Sequence, residues 1–153
     1  MTVATTKSAG PRGGQELASE TWSLIQRIAF SQRPRFMAVY REYDLAPPHW
    51  IALDALDQPK PMGELAKLLV CDSSNVTWIT DRLAERGLVE RRPADHDRRV
   101  KLLVLTPKGR RLREEIQARL AEPPPLIDAL PPEDQRTLRS ILRRAAQNLE
   151  ADR

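Results

Sequence analysis

Ser73, Ser74, Asn75 and Thr77 follow directly on Asp72, and Trp78 and Arg82 come after them at helical spacing. These residue types recognise rather than react. Serine and threonine hydroxyls reach phosphate oxygens or base edges, an asparagine amide pairs bidentately with adenine, and an arginine reaches phosphate or guanine. A second group, Arg98 and Arg99, suits the narrow and strongly negative minor groove of a DNA duplex. Eight basic residues lie between Arg91 and Arg111 against only Asp95 and Asp97, whereas the whole chain has a net charge of +4. Catalysis finds no comparable organisation. Glu64, Asp72, Asp81, Asp95, Asp97, His49 and His96 supply acid and base types, but no nucleophile elbow, glycine-rich phosphate loop or metal-ligand spacing arranges them. The reading is therefore a non-enzyme with no metal and no cofactor.

The elements that must position these groups follow from periodicity and punctuation. Residues 1–14, rich in Thr, Gly and Ser without an apolar period, read as a disordered leader. Trp22, Ile25, Ala29, Phe36, Val39 and Tyr43 then mark a long amphipathic helix to about Asp44, with a kink or two abutting helices expected at Pro34. Pro47-Pro48 opens a short helix that Gln58-Pro59-Lys60-Pro61 closes. The helix Met62 to Leu69, the turn Val70-Cys71-Asp72 and a further helix from Ser73 follow, the last one capped by Asp72 or Ser73 and ended by Gly87. In it Val76, Ile79, Thr80 and Leu83 share one side, which turns Ser74, Trp78, Asp81 and Glu85 outward. Leu88–Arg91 and Val100–Leu105 are extended runs joined by a polar turn, a hairpin with Arg98 and Arg99 at its tip. Thr106-Pro107 starts another helix, which stops at Pro123-Pro124-Pro125, and a last one begins near Pro131.

Helix, tight turn, helix and basic hairpin make the layout of a winged helix-turn-helix, whose second helix enters the major groove. The segment GELAKLLVCDSSNVTWITDRLAERGLVERRPADHDRRVKLLVLTPKG, about 47 residues from Gly63 to Gly109, resembles the DNA-binding lobe of the MarR (multiple antibiotic resistance regulator) family. The RGLVERR segment, the DRR wing and the LTPKG helix start occur in that family's order. The resemblance implies an obligate homodimer with interleaved terminal helices and two recognition helices on a near-palindromic operator. It implies that Asp97 and Arg99 brace the wing and leave Arg98 nearer the minor groove. It also implies a repressor of transcription released by a small phenolic or anionic effector.

The expected fold is mainly α with a small β-hairpin wing (α+β), a winged helix-turn-helix with flanking N- and C-terminal dimerisation helices. A single domain over residues 15–150 is expected, with dimerisation helices at 15–46 and 107–150 and the winged helix-turn-helix lobe at 47–106. Phe36, Tyr40, His49 and Trp50 are the residues placed to line an effector pocket. The expected partners are double-stranded DNA and a second copy of the chain, with no membrane: no apolar run nears the roughly 20 residues a bilayer span needs, which makes the location cytoplasmic. Two alternatives stand beside this. Cys71, the only cysteine, could make the chain a thiol-based redox-responsive regulator, although the neighbouring Asp72 disfavours a thiolate. A winged helix can also act as a protein–protein adaptor that binds no DNA.

Overall fold

The computed structural model describes residues 11–94 and 100–151. Helix α1 (Pro11–Ser31) and helix α2 (Arg33–Glu42) abut at Gln32. Pro34 lies in the first turn of α2, where a missing amide costs nothing, so the break expected there is a pair of abutting helices. The leader reading is corrected in part. Residues 11–14 are helical because Pro11 has its φ preset for a first helical position, while residues 1–10 lie outside the described residues.

Helix α3 (Pro47–Asp54) packs against α4 (Met62–Leu69) and α5 (Ser73–Glu85), and β2 (Val89–Pro93) and β3 (Lys101–Leu105) form the antiparallel hairpin. Its register runs from Val89 opposite Leu105 to Pro93 opposite Lys101. A third strand, β1 (Lys60–Pro61), sets Lys60 opposite Leu103 and Pro61 opposite Leu102, so the sheet order is β1-β3-β2. The sequence reading takes these two residues only as the end of a helix. A two-residue strand containing proline has no alternation to read and exists because β3 pairs with it. Leu53, Leu65, Leu83, Leu88, Leu103 and Ile116, all fully buried, gather the three helices and the sheet around one core. No helix among the described residues is long and apolar enough to cross a membrane.

The turn between α4 and α5 contains a strained residue. Val70 has φ 50° and ψ 46°, in the left-handed region, and is 91% exposed. A β-branched side chain there is costly, and so exposed a one recovers little by packing. Val70→Gly should raise stability by about 1 kcal/mol net of the extra freedom of the unfolded chain, a gain of a few degrees in Tm. Val70→Ala, which keeps a Cβ, should gain less. Equal melting temperatures for the glycine variant and the parent would show that Val70 stores no strain.

The chain divides into two compact units, Met1–Ile116 and Gln117–Arg153. The sequence reading instead draws one domain and begins the C-terminal helices at 107. The difference comes from α6 (Pro107–Ala121), whose first half is tied to the residues before β2 and to the end of α3. The Thr106 hydroxyl donates to the Gly87 carbonyl at 2.7 Å and accepts from the Gly109 amide at 3.0 Å, Ile116 is fully buried, and Arg113 donates to the Asp54 carbonyl at 3.0 Å. The second unit contains the end of α6, α7 (Pro125–Asp128) and α8 (Pro132–Ala151). Its α8 leaves Ile141 and Leu142 each 48% exposed.

Candidate nucleic-acid interface

Helix α5 is set by its first turn. The Asp72 carboxylate accepts from the Asn75 backbone amide at 2.9 Å and from the Ser74 hydroxyl at 2.6 Å. These two bonds hold the Asp72 carboxyl below its usual range. The cap is the alternative in which Asp72, not Ser73, does the capping, and the Ser74 hydroxyl expected to face nucleic acid donates to it here. The side chain of Ser73 lies outside the described residues. Val76, Ile79, Thr80 and Leu83 are buried, and Ser74, Asn75, Thr77, Trp78 and Arg82 are exposed on the other side. Arg82 pairs with Glu85 one turn on at 3.2 Å.

Asp81, read from the helical wheel as simply outward, has a structural task. Arg91 of β2 donates to the Asp81 carboxylate at 2.5 Å and to the buried Thr80 hydroxyl at 2.9 Å, which ties the hairpin to α5. Arg91 and Asp81 stand ten residues apart on different elements, so no periodicity could have paired them. The hairpin arms close where the Ala94 amide donates to the Val100 carbonyl at 2.9 Å. Arg98 and Arg99, assigned to DNA contact, and Asp97, assigned with Arg99 to bracing the wing, lie outside the described residues, as does His96.

A cleft of about 770 Å³ opens between α2, α3 and α5, and its walls include Tyr40, Arg41, His49, Trp78, Arg82 and Arg86. Of the four residues expected to line an effector pocket, Tyr40 and His49 are in the wall of this cleft, whereas Phe36 and Trp50 are not. Trp50 follows His49 on α3 and so points about 100° away around the helix. It is buried and stacks on Tyr40 with ring centroids 6.1 Å apart. Phe36 is half-buried one turn before Tyr40. Arg86 closes one side of the cleft by donating to the carbonyls of Asp44 at 2.6 Å and Tyr43 at 2.8 Å. No residue type hints at this clamp, because every residue carries a carbonyl acceptor. Cys71 is half-exposed and lines a separate cleft of about 330 Å³ with Pro48, Ile51, Leu69 and Trp78.

His49 is 6% exposed, and its Nε2 has no hydrogen-bond partner among the described residues. Burial, with the positive charges of Arg82 and Arg86, pushes its pKa below the ordinary 6.5, against a smaller pull upward from the Ala46 carbonyl and Asp44. The folded lobe therefore favours the neutral ring. Stability should hold above about pH 6.5, the unfolded value, and fall as the pH drops through that value toward the lower folded one. Thermal melting at pH 7.5 and 5.5 should show a loss on acidification that shrinks in His49→Phe; an undiminished loss would assign it to other groups.

A family model described as MarR family matches residues 47–101, which span α3 to the start of β3. A solved structure of a probable transcriptional regulator from Pseudomonas aeruginosa is 30% identical, covers 79% of this chain and 96% of its own, and has a TM-score of 0.56. A MarR family protein from Bacillus stearothermophilus is 25% identical with a TM-score of 0.76, covering 89% of this chain and 97% of its own. The chain belongs to the MarR family. Among curated relatives, the uncharacterized HTH-type transcriptional regulator YsmB of Bacillus subtilis (strain 168) is 30% identical over 94 residues, 60% of this chain. The match spans 64% of that relative's length. In this MarR-family chain the family-model match takes in α3, α4, α5 and β2, the helices and first hairpin strand of the winged helix-turn-helix.

Proposed function

We propose that the chain is a sequence-specific, double-strand DNA-binding regulator of transcription that acts in the cytoplasm as a homodimer, a repressor relieved by a small phenolic or anionic effector. The observation that carries this reading is the division of α5 into a buried apolar side and an exposed side made of Ser74, Asn75, Thr77, Trp78 and Arg82. A solvated helix held by three neighbouring elements can enter a major groove without rearrangement. Asn75 reads a base edge, Thr77 and Arg82 hold phosphate or base, and Ser73 and Ser74 approach the backbone at the helix start. Arg98 enters the minor groove, with Arg99 beside it and braced by Asp97. The cleft beside α5, with Tyr40 and His49 in its wall and three arginines at its edge, suits an anionic aromatic molecule. The exposed Leu17, Trp22, Leu24, Ile28 and Phe30 of α1 support a second copy as partner, since so many large apolar groups on one helix rarely stay in water.

Selection of bound sites from a random duplex library tests the reading. The wild type should enrich a near-palindrome, with binding that weakens steeply as salt rises. Asn75→Ala should relax preference at one position of each half-site at a cost of about 1 to 3 kcal/mol, with the salt slope nearly unchanged. Arg98→Ala should weaken all duplexes and flatten the slope by about one unit. Retention of a protein partner with no duplex selected would favour the adaptor reading instead.

A further inference from the structure

The exposed indole of Trp78 does not stand alone in solvent. Its ring centroid lies 5.2 Å from that of His49, with the planes tilted by 51°, a favourable geometry for two aromatic rings. Trp78 is 61% exposed on α5, whereas His49 is 6% exposed on α3. A residue too buried to reach DNA thus touches one that can. The His49 ring also has no hydrogen bond at Nε2 among the described residues, so on that edge no polar partner among them explains its placement. Its backbone is fixed by the start of α3, where its amide donates to the Ala46 carbonyl at 3.0 Å. A tryptophan on a bare helix surface samples several rotamers and must surrender that freedom when DNA binds; a fixed ring beside it removes the freedom beforehand.

We propose that His49 is a positioning residue for base recognition: its buried ring selects the rotamer of Trp78 and so sets which bases α5 accepts. The proposal rests on the reading that α5 enters the major groove. It makes α3, which is not the helix proposed to enter the groove, a determinant of operator choice. It also makes the ring at position 49, rather than its polarity, the property that matters.

Base preference is measured on the duplex selected by the wild type, with thermal melting of every variant alongside. His49→Ala, and His49→Gln as a variant of closer volume without a ring, should lose about five- to tenfold of the discrimination at the positions that Trp78→Ala loses. His49→Phe should restore it. In the Trp78→Ala background, His49→Ala should change base preference no further, because the two residues act through one contact. Unaltered preference in folded His49→Gln, failure of His49→Phe to restore it, or full additivity with Trp78→Ala overturns the proposal. An even loss of affinity on all sequences, tracking melting temperature, would make His49 a purely structural residue and overturn it as well. If Trp78→Ala alone leaves preference unchanged while Asn75→Ala relaxes it, this proposal falls and the reading of α5 stands. If the wild type selects no duplex, both fall.

Discussion

Gly109→Ala should destabilise the first unit by about 3 kcal/mol or more and lower its melting temperature by roughly 10 °C. A Cβ at this position would stand 1.9 Å from the Leu88 carbonyl oxygen and 2.9 Å from its carbon. The obstacle is backbone, not the movable end of a side chain. That carbonyl also accepts from the Thr106 amide at 3.1 Å, so moving it breaks the bond that starts α6. Sliding α6 outward is no easier, because Ile116 two turns along is fully buried and Leu105 lies 3.3 Å from the same Cβ. Gly63→Ala in α4 is the control, since nothing lies within 4 Å of a Cβ there. It should be neutral or stabilising by about 0.5 to 1 kcal/mol, the helix preference of alanine over glycine. Melting curves within 1 kcal/mol of the parent for Gly109→Ala would show that the sheet and α6 can separate at little cost.

Ile141→Asp combined with Leu142→Asp should abolish the proposed dimer and reduce operator affinity by about a hundred- to ten-thousand-fold, the loss of a second linked half-site contact. Both side chains are 48% exposed in the single chain, so charging them removes little intrachain packing. What they can disrupt is the surface on which a second copy is proposed to sit, where a carboxylate would be desolvated without a partner. The expected product is therefore a folded monomer, read as unchanged helicity by circular dichroism and halved mass by light scattering. A folded dimer that still binds its operator would place the subunit contact elsewhere than on this face of α8. The same charge introduced at Leu149, whose side chain lies outside the described residues, tests how far the contact extends.

The helices and the hairpin were legible in the sequence because their signals are local. The apolar set Val76, Ile79, Thr80 and Leu83 states which way α5 faces, Thr106-Pro107 states where α6 begins, and Gly87 takes φ 67° at the end of α5 as its residue type suggests. What escaped depends on partners far away in the chain. Strand β1 exists through β3, Asp81 finds Arg91 only once the hairpin has folded back, and Arg86 binds carbonyls more than 40 residues earlier. The candidate cleft was half legible. Tyr40 and His49 face it, but a choice between adjacent His49 and Trp50 turns on the roll of a short helix around its axis, which Pro47 and the packing of α3 decide. Val70 gave the opposite signal to its conformation, since a β-branched residue normally argues against a left-handed turn.

Both outer strands of the small sheet end in proline, Pro61 in β1 and Pro93 in β2, on either side of β3. An edge strand that lacks an amide cannot present the full row of donors a stray strand needs to attach, and a two-residue β1 presents almost none. Copies crowded side by side, whether during synthesis or along a nucleic acid, are thereby denied the commonest route by which sheets merge into aggregates. Pro61→Val with Pro93→Val would leave the fold's contacts in place and remove that protection, so its mark would be precipitation on concentration rather than a lower melting temperature.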